Sequence, residues 1–332
     1  MKIVIADKAE KAMVDGLASL GCEVYQDASL DGETLAGCLA DQAPAVLVVR
    51  STKVPAGAIE SGAGSLKIII RAGSGYDNID CDTAASKDIA VCNTPGMNAV
   101  AVAELAMGHL ISVDRRLPEQ NSALKSGRWN KKQYSVAVGL KGRSLLVIGA
   151  GAIGREMTQR AAAFGMNIGV FDLHITAEQA AELGVDRIDP TREALLAALP
   201  GFDAVSMHVP AVEATKGMCD SAFFAAMKYG AIFINTSRGA IVDEAALIAA
   251  AKAGKIRAGL DVYQNQPSAK ETDWSPEIAG VQGVYCTHHC GASTDQAQAA
   301  VSEEVVRMVG MFMADGTIEH QVNKTACAAG PG

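Results

Sequence analysis

The run Gly149-Ala150-Gly151-Ala152-Ile153-Gly154 follows an apolar stretch, SLLVIGA, and opens a segment with helical spacing from Ala152 to Phe164. A lone GxGxxG is weak evidence. Here a second β-rich run, NIGVFD, follows and ends in Asp172, 18 residues after Gly154. That is the βαβ setting in which such glycines bind a dinucleotide. The first allows a tight turn, the second lets backbone N–H groups approach a pyrophosphate at a helix N-terminus, and the third lets helix and strand pack closely. A carboxylate at Asp172 can accept from adenosine ribose hydroxyls and repel a 2′-phosphate; it can equally cap the next turn.

Two more polar groups end apolar runs. Asn235-Thr236-Ser237-Arg238-Gly239 follows AIFI, and Thr287-His288-His289-Cys290-Gly291 follows GVYC. Open α/β sheets bind ligands at the carboxyl ends of their strands. A cation and an imidazole there suit 2-oxo acid chemistry: Arg holds the carboxylate and polarises the carbonyl, and His exchanges the proton that accompanies hydride transfer. Taken singly, Arg238 reads as well as an ion-pair partner and His289 as a strand-end histidine. Cys286, His288, His289 and Cys290 also invite a metal reading. Adjacent strand residues face opposite sides, and the Cys-x3-Cys spacing has no second half elsewhere, so no metal site is expected.

The elements that must position these groups alternate. KIVIAD, CEVYQD, AVLVVRS, LKIIIRA and IAVCNTP read as five strands, with helical or turn segments between them. An Ala-rich helix is expected from Asn98 to Arg116, and then a polar stretch, LKSGRWNKKQYSVAVGLKG, of loop with a short helix. From Ser144 six more strands are expected: SLLVIGA, NIGVFDL, FDAVSMHVP, AIFINTS, RAGLDVY and GVYCTHH. Strands alternating with helices indicate parallel sheets, hence two α/β units. The tail from Ser293 to Met313 has helical spacing, and a little disorder is expected only in TACAAGPG.

Composition excludes several classes. Of 332 residues, 29 are Lys or Arg and 37 are Asp or Glu, a net charge of −8 that argues against general nucleic-acid binding. No apolar stretch reaches the ~20 residues of a membrane span. The opening MKIVIADKAEKAMVDGL lacks the apolar core of a signal peptide, and the 8 cysteines show no CxxC. A cytoplasmic protein with reduced thiols is expected.

Taken in order, VVRSTKVPAGAI, LKIIIRAGSGYDNID, VCNTPGMNAVAVAEL, LKSGRWNKKQY, LKGRSLLVIGAGAIGREM, INTSRGAIVDEAAL, AGLDVY and HHCGASTDQAQ resemble the D-isomer-specific 2-hydroxyacid dehydrogenase family, most closely its phosphoglycerate dehydrogenase branch. The resemblance covers nearly the whole chain. It implies a flavodoxin-like substrate lobe, residues 1–97 plus 294–332, and a Rossmann-type NAD-binding lobe, 98–293, without the branch's C-terminal regulatory domains. It also implies a homodimer with an interface near the helix from Asn98. Arg238 matches the catalytic arginine and His289 the acid/base histidine, while His288 stands where proline is usual. Gly149, Gly151, Ala152, Ile153, Gly154, Asp172, Val209, Pro210, Thr236, Ser237, Arg238, Asp261, His289, Gly291 and Ala292 are the implied NAD contacts, Asp261 toward the nicotinamide carboxamide. Ser74 and Gly75 match a turn receiving the substrate carboxylate, and Arg50, Ser51 and Lys53 match the branch's polar substrate segment, with Lys131 or Lys132 as further phosphate donors.

One departure stands out. The family's third catalytic residue is a Glu immediately before Pro, and here Gln266 precedes Pro267. Formate dehydrogenases of the same superfamily carry Gln there, and QPSAKETDW resembles their local sequence, but they lack the basic substrate segment. The expected activity is NAD-dependent oxidation of 3-phosphoglycerate to 3-phosphohydroxypyruvate. Hydroxypyruvate or glyoxylate reduction, formate oxidation, and a non-catalytic NAD-binding protein are the alternatives.

Overall fold

The computed structural model describes residues 1–267 and 271–323. TACAAGPG, Cys327 and the SAK of QPSAKETDW lie outside the described residues. The chain divides into two compact units: Met1–Asn98 together with the segment from Ser293 onward, and Ala99–Ala292.

The first unit is built on strands Lys2–Ile5 (β1), Glu23–Gln26 (β2), Val46–Val49 (β3), Ile68–Arg71 (β4) and Ala90–Asn93 (β5). All pair in parallel, in the order β2-β1-β3-β4-β5. VLVV and IIIR are apolar on both faces because both faces are covered. Ile3, Ile5, Val46 and Ile68 pack into one cluster, and Val4, Leu47, Val49 and Ile69 into another. The helix Asp295–Asp315 contributes Val305, Met308 and Val309 to the first cluster. It closes on the helix Lys11–Ser19 at Gly16, where a Cβ would lie 2.8 Å from Val306 Cγ2.

The second unit holds Ser144–Ile148 (β6), Asn167–Phe171 (β7), Asp186–Ile188 (β8), Ala204–Met207 (β9), Ala231–Asn235 (β10), Ile256–Leu260 (β11) and Val284–Cys286 (β12). They form one parallel sheet, β12-β11-β10-β9-β6-β7-β8. Among the described residues this sheet has seven strands where six were expected. The missed β8 has three residues, lies at the edge, and buries none of them fully, so it carries no apolar signature. The expected Asn98–Arg116 helix runs Ala99–Arg115, and Arg116 takes a left-handed φ of 56° that turns the chain into a separate helix, Leu117–Lys125. The short helix of the polar stretch is Lys131–Tyr134.

Strand order reverses at two places, beside β1 and β3 in one sheet and beside β6 and β9 in the other. Such switch points open a crevice outside the carboxyl ends of the strands, where ligands bind. Arg50 follows β3, Gly149 follows β6 and Val209 lies just beyond β9. Among the described residues no helix is long and apolar enough to cross a membrane.

Candidate active site

The glycine loop after β6 has the constraints that dinucleotide binding requires. At Gly149, φ is 97° and a Cβ would sit 2.6 Å from His208 O, so the chain turns there against β9. At Gly154 a Cβ would meet Gly149 O at 1.9 Å, so only hydrogen lets the helix Ala152–Ala163 close on the loop. Gly151 has open space around it and caps that helix without a side chain. The first-turn N–H groups therefore lack a side-chain partner and suit an anion. Thr236 Oγ1, buried at the end of β10, also has no hydrogen-bond partner. An uncapped helix, a glycine cradle and an orphaned hydroxyl fit a dinucleotide.

Asp172 caps the next turn and also holds the glycine loop. Its Oδ2 accepts from Ala150 N at 2.7 Å, and its Oδ1 from His174 N at 2.7 Å and Ile175 N at 3.2 Å. It ties the glycine loop to the end of β7 and caps the next turn. Of about four acceptor positions on a carboxylate, these three bonds leave one.

The Arg238 turn is locked from within. Asn235 Oδ1 accepts from Ser237 N (3.0 Å) and Ser237 Oγ (2.9 Å), and Asn235 Nδ2 donates to Arg238 O (2.9 Å). At Gly239 a Cβ would lie 1.9 Å from Tyr263 O, so this turn presses directly on the segment that leads to Gln266. Gln266 and His289 are brought together: Nε2 of the amide lies 2.6 Å from Nδ1 of the ring. The other end of the amide, Oε1, accepts from Tyr263 N at 3.2 Å. A backbone N–H can only donate, so the amide turns its NH2 toward His289. Nδ1 then accepts, and the neutral ring carries its proton on Nε2. A Glu at this position would hold the opposite tautomer.

His289 has a left-handed φ of 52°, a costly conformation for a side-chain-bearing residue. Asp261, 1% exposed, holds the turn in place. Its Oδ1 accepts from Thr287 Oγ1 (2.6 Å) and Cys290 N (2.9 Å), and its Oδ2 from Gly291 N (2.8 Å). Gly291 is buried and Ala292 half-buried beside it; His288 is exposed.

In the first unit a buried carboxylate plays a matching part. Asp7, just past β1, accepts from Arg50 N (2.6 Å), Ser51 N (3.0 Å) and Thr52 N (3.1 Å) through Oδ2, and from Ser51 Oγ (2.8 Å) through Oδ1. The Ser51 hydroxyl thus has its only proton on Asp7, which leaves it none for an anion. Arg50 Nη1 donates to Gln298 Oε1 at 3.0 Å, and Lys53 is exposed. At the second turn, Ser74 Oγ donates to Asn98 Oδ1 (2.7 Å), and Ser74 O accepts from Asn93 Nδ2 (2.6 Å), next to half-buried Gly75. Lys131 and Lys132 lie exposed on the one-turn helix.

Four residues escaped the sequence reading. Asp7 and Arg71, whose guanidinium lies where a Cβ on Gly73 would be, looked like strand ends. His208, next to half-buried Val209 and exposed Pro210, bonds Ser206 Oγ through Nε2 at 2.8 Å, with Nδ1 sealed from solvent and unpartnered. Burial pushes its pKa down to about 3. His109, on the long helix, reaches Thr287. A polar residue at the end of an apolar run was the available signal for the first three; the fourth had none. Away from these turns, Glu304, Glu319 and His320 converge, but Arg307 pairs with both carboxylates there, at 2.6 Å from Glu304.

Residues 107–291 match the family model for the D-isomer specific 2-hydroxyacid dehydrogenase NAD binding domain. The chain is 37% identical over 325 residues to a D-3-phosphoglycerate dehydrogenase of Methanocaldococcus jannaschii, covering 97% of this chain and 59% of that protein. It therefore spans little more than half the length of that relative. It is 42% identical over 266 residues to a hydroxypyruvate reductase of Thermotoga maritima, covering 80% and 83%. Among solved structures it resembles the NAD+-bound 3-phosphoglycerate dehydrogenase of Entamoeba histolytica, at a TM-score of 0.80 and 26% identity, over 98% of this chain and 99% of that one.

Proposed function

The chain belongs to the D-isomer-specific 2-hydroxyacid dehydrogenase family, and on that premise we propose that it interconverts a D-2-hydroxy acid and its 2-oxo acid with NAD(H), 3-phosphoglycerate being the first substrate to test. The observation that carries this reading is the Gln266–His289 pair at 2.6 Å, held on the Asp261 turn in the same unit as the glycine cradle. NAD, when bound, supplies the carbon that takes or gives the hydride. Gly149, Gly151, Ala152, Ile153, Gly154, Asp172, Val209, Pro210, Thr236, Ser237, Asp261, Gly291 and Ala292 are proposed to hold it. Asp261 Oδ2 accepts a single bond, from Gly291 N, which leaves its second lone pair for the carboxamide.

In reduction, His289 gives the proton to the developing alkoxide through Nε2, and Arg238 neutralises the substrate carboxylate. Giving up that proton without forming an imidazolate requires the imidazolium. Its Nδ1–H needs an acceptor, so the Gln266 amide must rotate and release Tyr263 N. The neutral ring is therefore favoured more than it would be beside a Glu. Ser74, Gly75, Arg50 and Lys53 are proposed to receive the substrate's anionic groups, with Ser51 shaping the turn.

Hydroxypyruvate or glyoxylate reduction is the second reading. It is favoured by the Thermotoga relative, most of whose length the chain covers, and by the committed Ser51 proton. A homodimer is inferred from the exposed apolar side chains of Leu117, Leu124, Trp129, Val136 and Val138 in one stretch of chain. Among the described residues the cysteines are free thiols, which fits a reducing, cytoplasmic setting. The test is NADH consumption with 3-phosphohydroxypyruvate, hydroxypyruvate and glyoxylate, and NAD+ reduction with 3-phosphoglycerate and formate. Turnover of a 2-oxo acid is expected. NADH binding without turnover of any acid would leave the non-catalytic reading standing.

A further inference from the structure

His109 is 4% exposed on the helix Ala99–Arg115, and its Nε2 lies 3.0 Å from Thr287 Oγ1. Nothing in the chemistry described so far uses it. A threonine hydroxyl has one proton. Asp261 Oδ1, 2.6 Å away, is an acceptor, so the proton points there. The Thr287 oxygen must then accept from His109, which fixes the His109 proton on Nε2. Burial disfavours the charged form of this ring, lowering its pKa.

The fold makes room for the ring by one residue. At Gly259, on β11, a Cβ would lie 2.6 Å from His109 Cβ and 2.9 Å from its Cγ. The chain of donors therefore runs from the helix, through Thr287, to the carboxylate that binds Cys290 N and Gly291 N. Those two amides directly follow His289, whose left-handed backbone stores strain of about 1–3 kcal/mol that surrounding bonds must hold. An N–H···O–H···carboxylate relay strengthens each of its members.

We propose that His109 is a positioning residue for the acid/base turn, donating through Nε2 to Thr287 so that the hydroxyl stays aligned on Asp261 and the turn holds His289 in place. The proposal rests on the reading of His289 as the acid/base group. It assigns the long helix a part in the chemistry, through one side chain that touches neither substrate nor cofactor.

The test compares His109→Leu, which keeps volume but removes the donor, with His109→Gln, which keeps an N–H donor, and with Thr287→Val and the Leu/Val double variant. The measurements are kcat and KM with a 2-oxo acid, the thermal midpoint, and imidazole 15N–1H spectra. His109→Leu should lower kcat about tenfold with KM little changed, and His109→Gln should restore it to within about threefold. The double variant should lose no more than Thr287→Val, because the two residues act as one relay. The wild-type spectrum should show His109 protonated on Nε2 alone, and the His289 signals should shift in His109→Leu. A ring protonated on Nδ1 overturns the proposal. So do His289 signals that stay put in His109→Leu, or a Gln variant as impaired as the Leu variant with an equally lowered midpoint. If the wild type turns over no acid, the dehydrogenase reading fails, and the imidazole spectra still decide the relay.

Discussion

Asp7 and Asp261 are two buried carboxylates at the carboxyl ends of parallel strands, one in each unit, and each gathers the backbone of a turn. Asp7 accepts four donors, three of them successive backbone amides of one turn. Asp261 also accepts four, but only two are backbone amides; the others are the Cys290 thiol, at 3.7 Å, and a hydroxyl itself held by His109. All four donors to Asp7 come from the Arg50–Thr52 turn, so Asp7 shapes that turn alone. Asp261 holds the turn that carries His289 beside Gln266, and the hydroxyl it uses is aligned from another element. The difference predicts that loss of Asp7 damages folding first, whereas loss of Asp261 damages cofactor binding and turnover first.

The largest expected effect isolates the chemistry from both anchors. His289→Asn should lower kcat/KM by about a thousandfold or more while weakening NADH binding far less, since what it removes is the proton-exchanging ring. Single-turnover kinetics with fluorescence titration of NADH checks both halves.

Asp7→Ala comes next. It strands the amides of Arg50, Ser51 and buried Thr52, at a cost of about 3 kcal/mol from lost hydrogen bonds. Urea unfolding should reveal this loss, with NADH affinity preserved. Asp261→Asn should do the reverse, weakening NADH more than it weakens folding. If the two variants behave alike, the comparison is wrong.

A third effect separates histidines by pH. His208 takes up its proton at about pH 3 when folded and near its usual 6.5 when unfolded. Below pH 6.5 the unfolded chain binds more protons, so stability falls as pH falls, by up to roughly 1.4 kcal/mol per pH unit until the folded value is reached. Unfolding midpoints at pH 7 and pH 5.5 in wild type and His208→Asn measure it, and the variant should lose less. Smaller again is the cofactor preference: with Asp172 in place, kcat/KM should favour NADH over NADPH at least tenfold, ~1.4 kcal/mol. Asp172→Ser should narrow that ratio.

How much of this was legible in the residues depends on how local the signal was. The glycine loop, Asp172 and eleven of the twelve strands announce themselves through short-range spacing and apolar runs, because parallel strands buried on both faces must be apolar throughout. Strand β8 escaped because an exposed three-residue edge needs no apolar face. Gln266 and His289 were paired only through the family resemblance, and the direction of the amide needed Tyr263 N, a backbone group no side-chain pattern reports. Asp7 and His109 act across 43 and 178 residues of chain, through contacts that only the folded topology makes.

The central claim is that His289 exchanges the proton while a neutral partner holds its ring. The pH dependence of kcat/KM for reduction and oxidation, from pH 5 to 9, in wild type and Gln266→Glu, tests it most directly. A Glu would accept from Nδ1–H and stabilise the imidazolium, so the reductive limb should fall off at lower pH in wild type than in the variant, while wild-type oxidation persists near neutrality. Coincident reductive profiles would contradict the account, because Gln266 would then be uncoupled from the group that moves the proton.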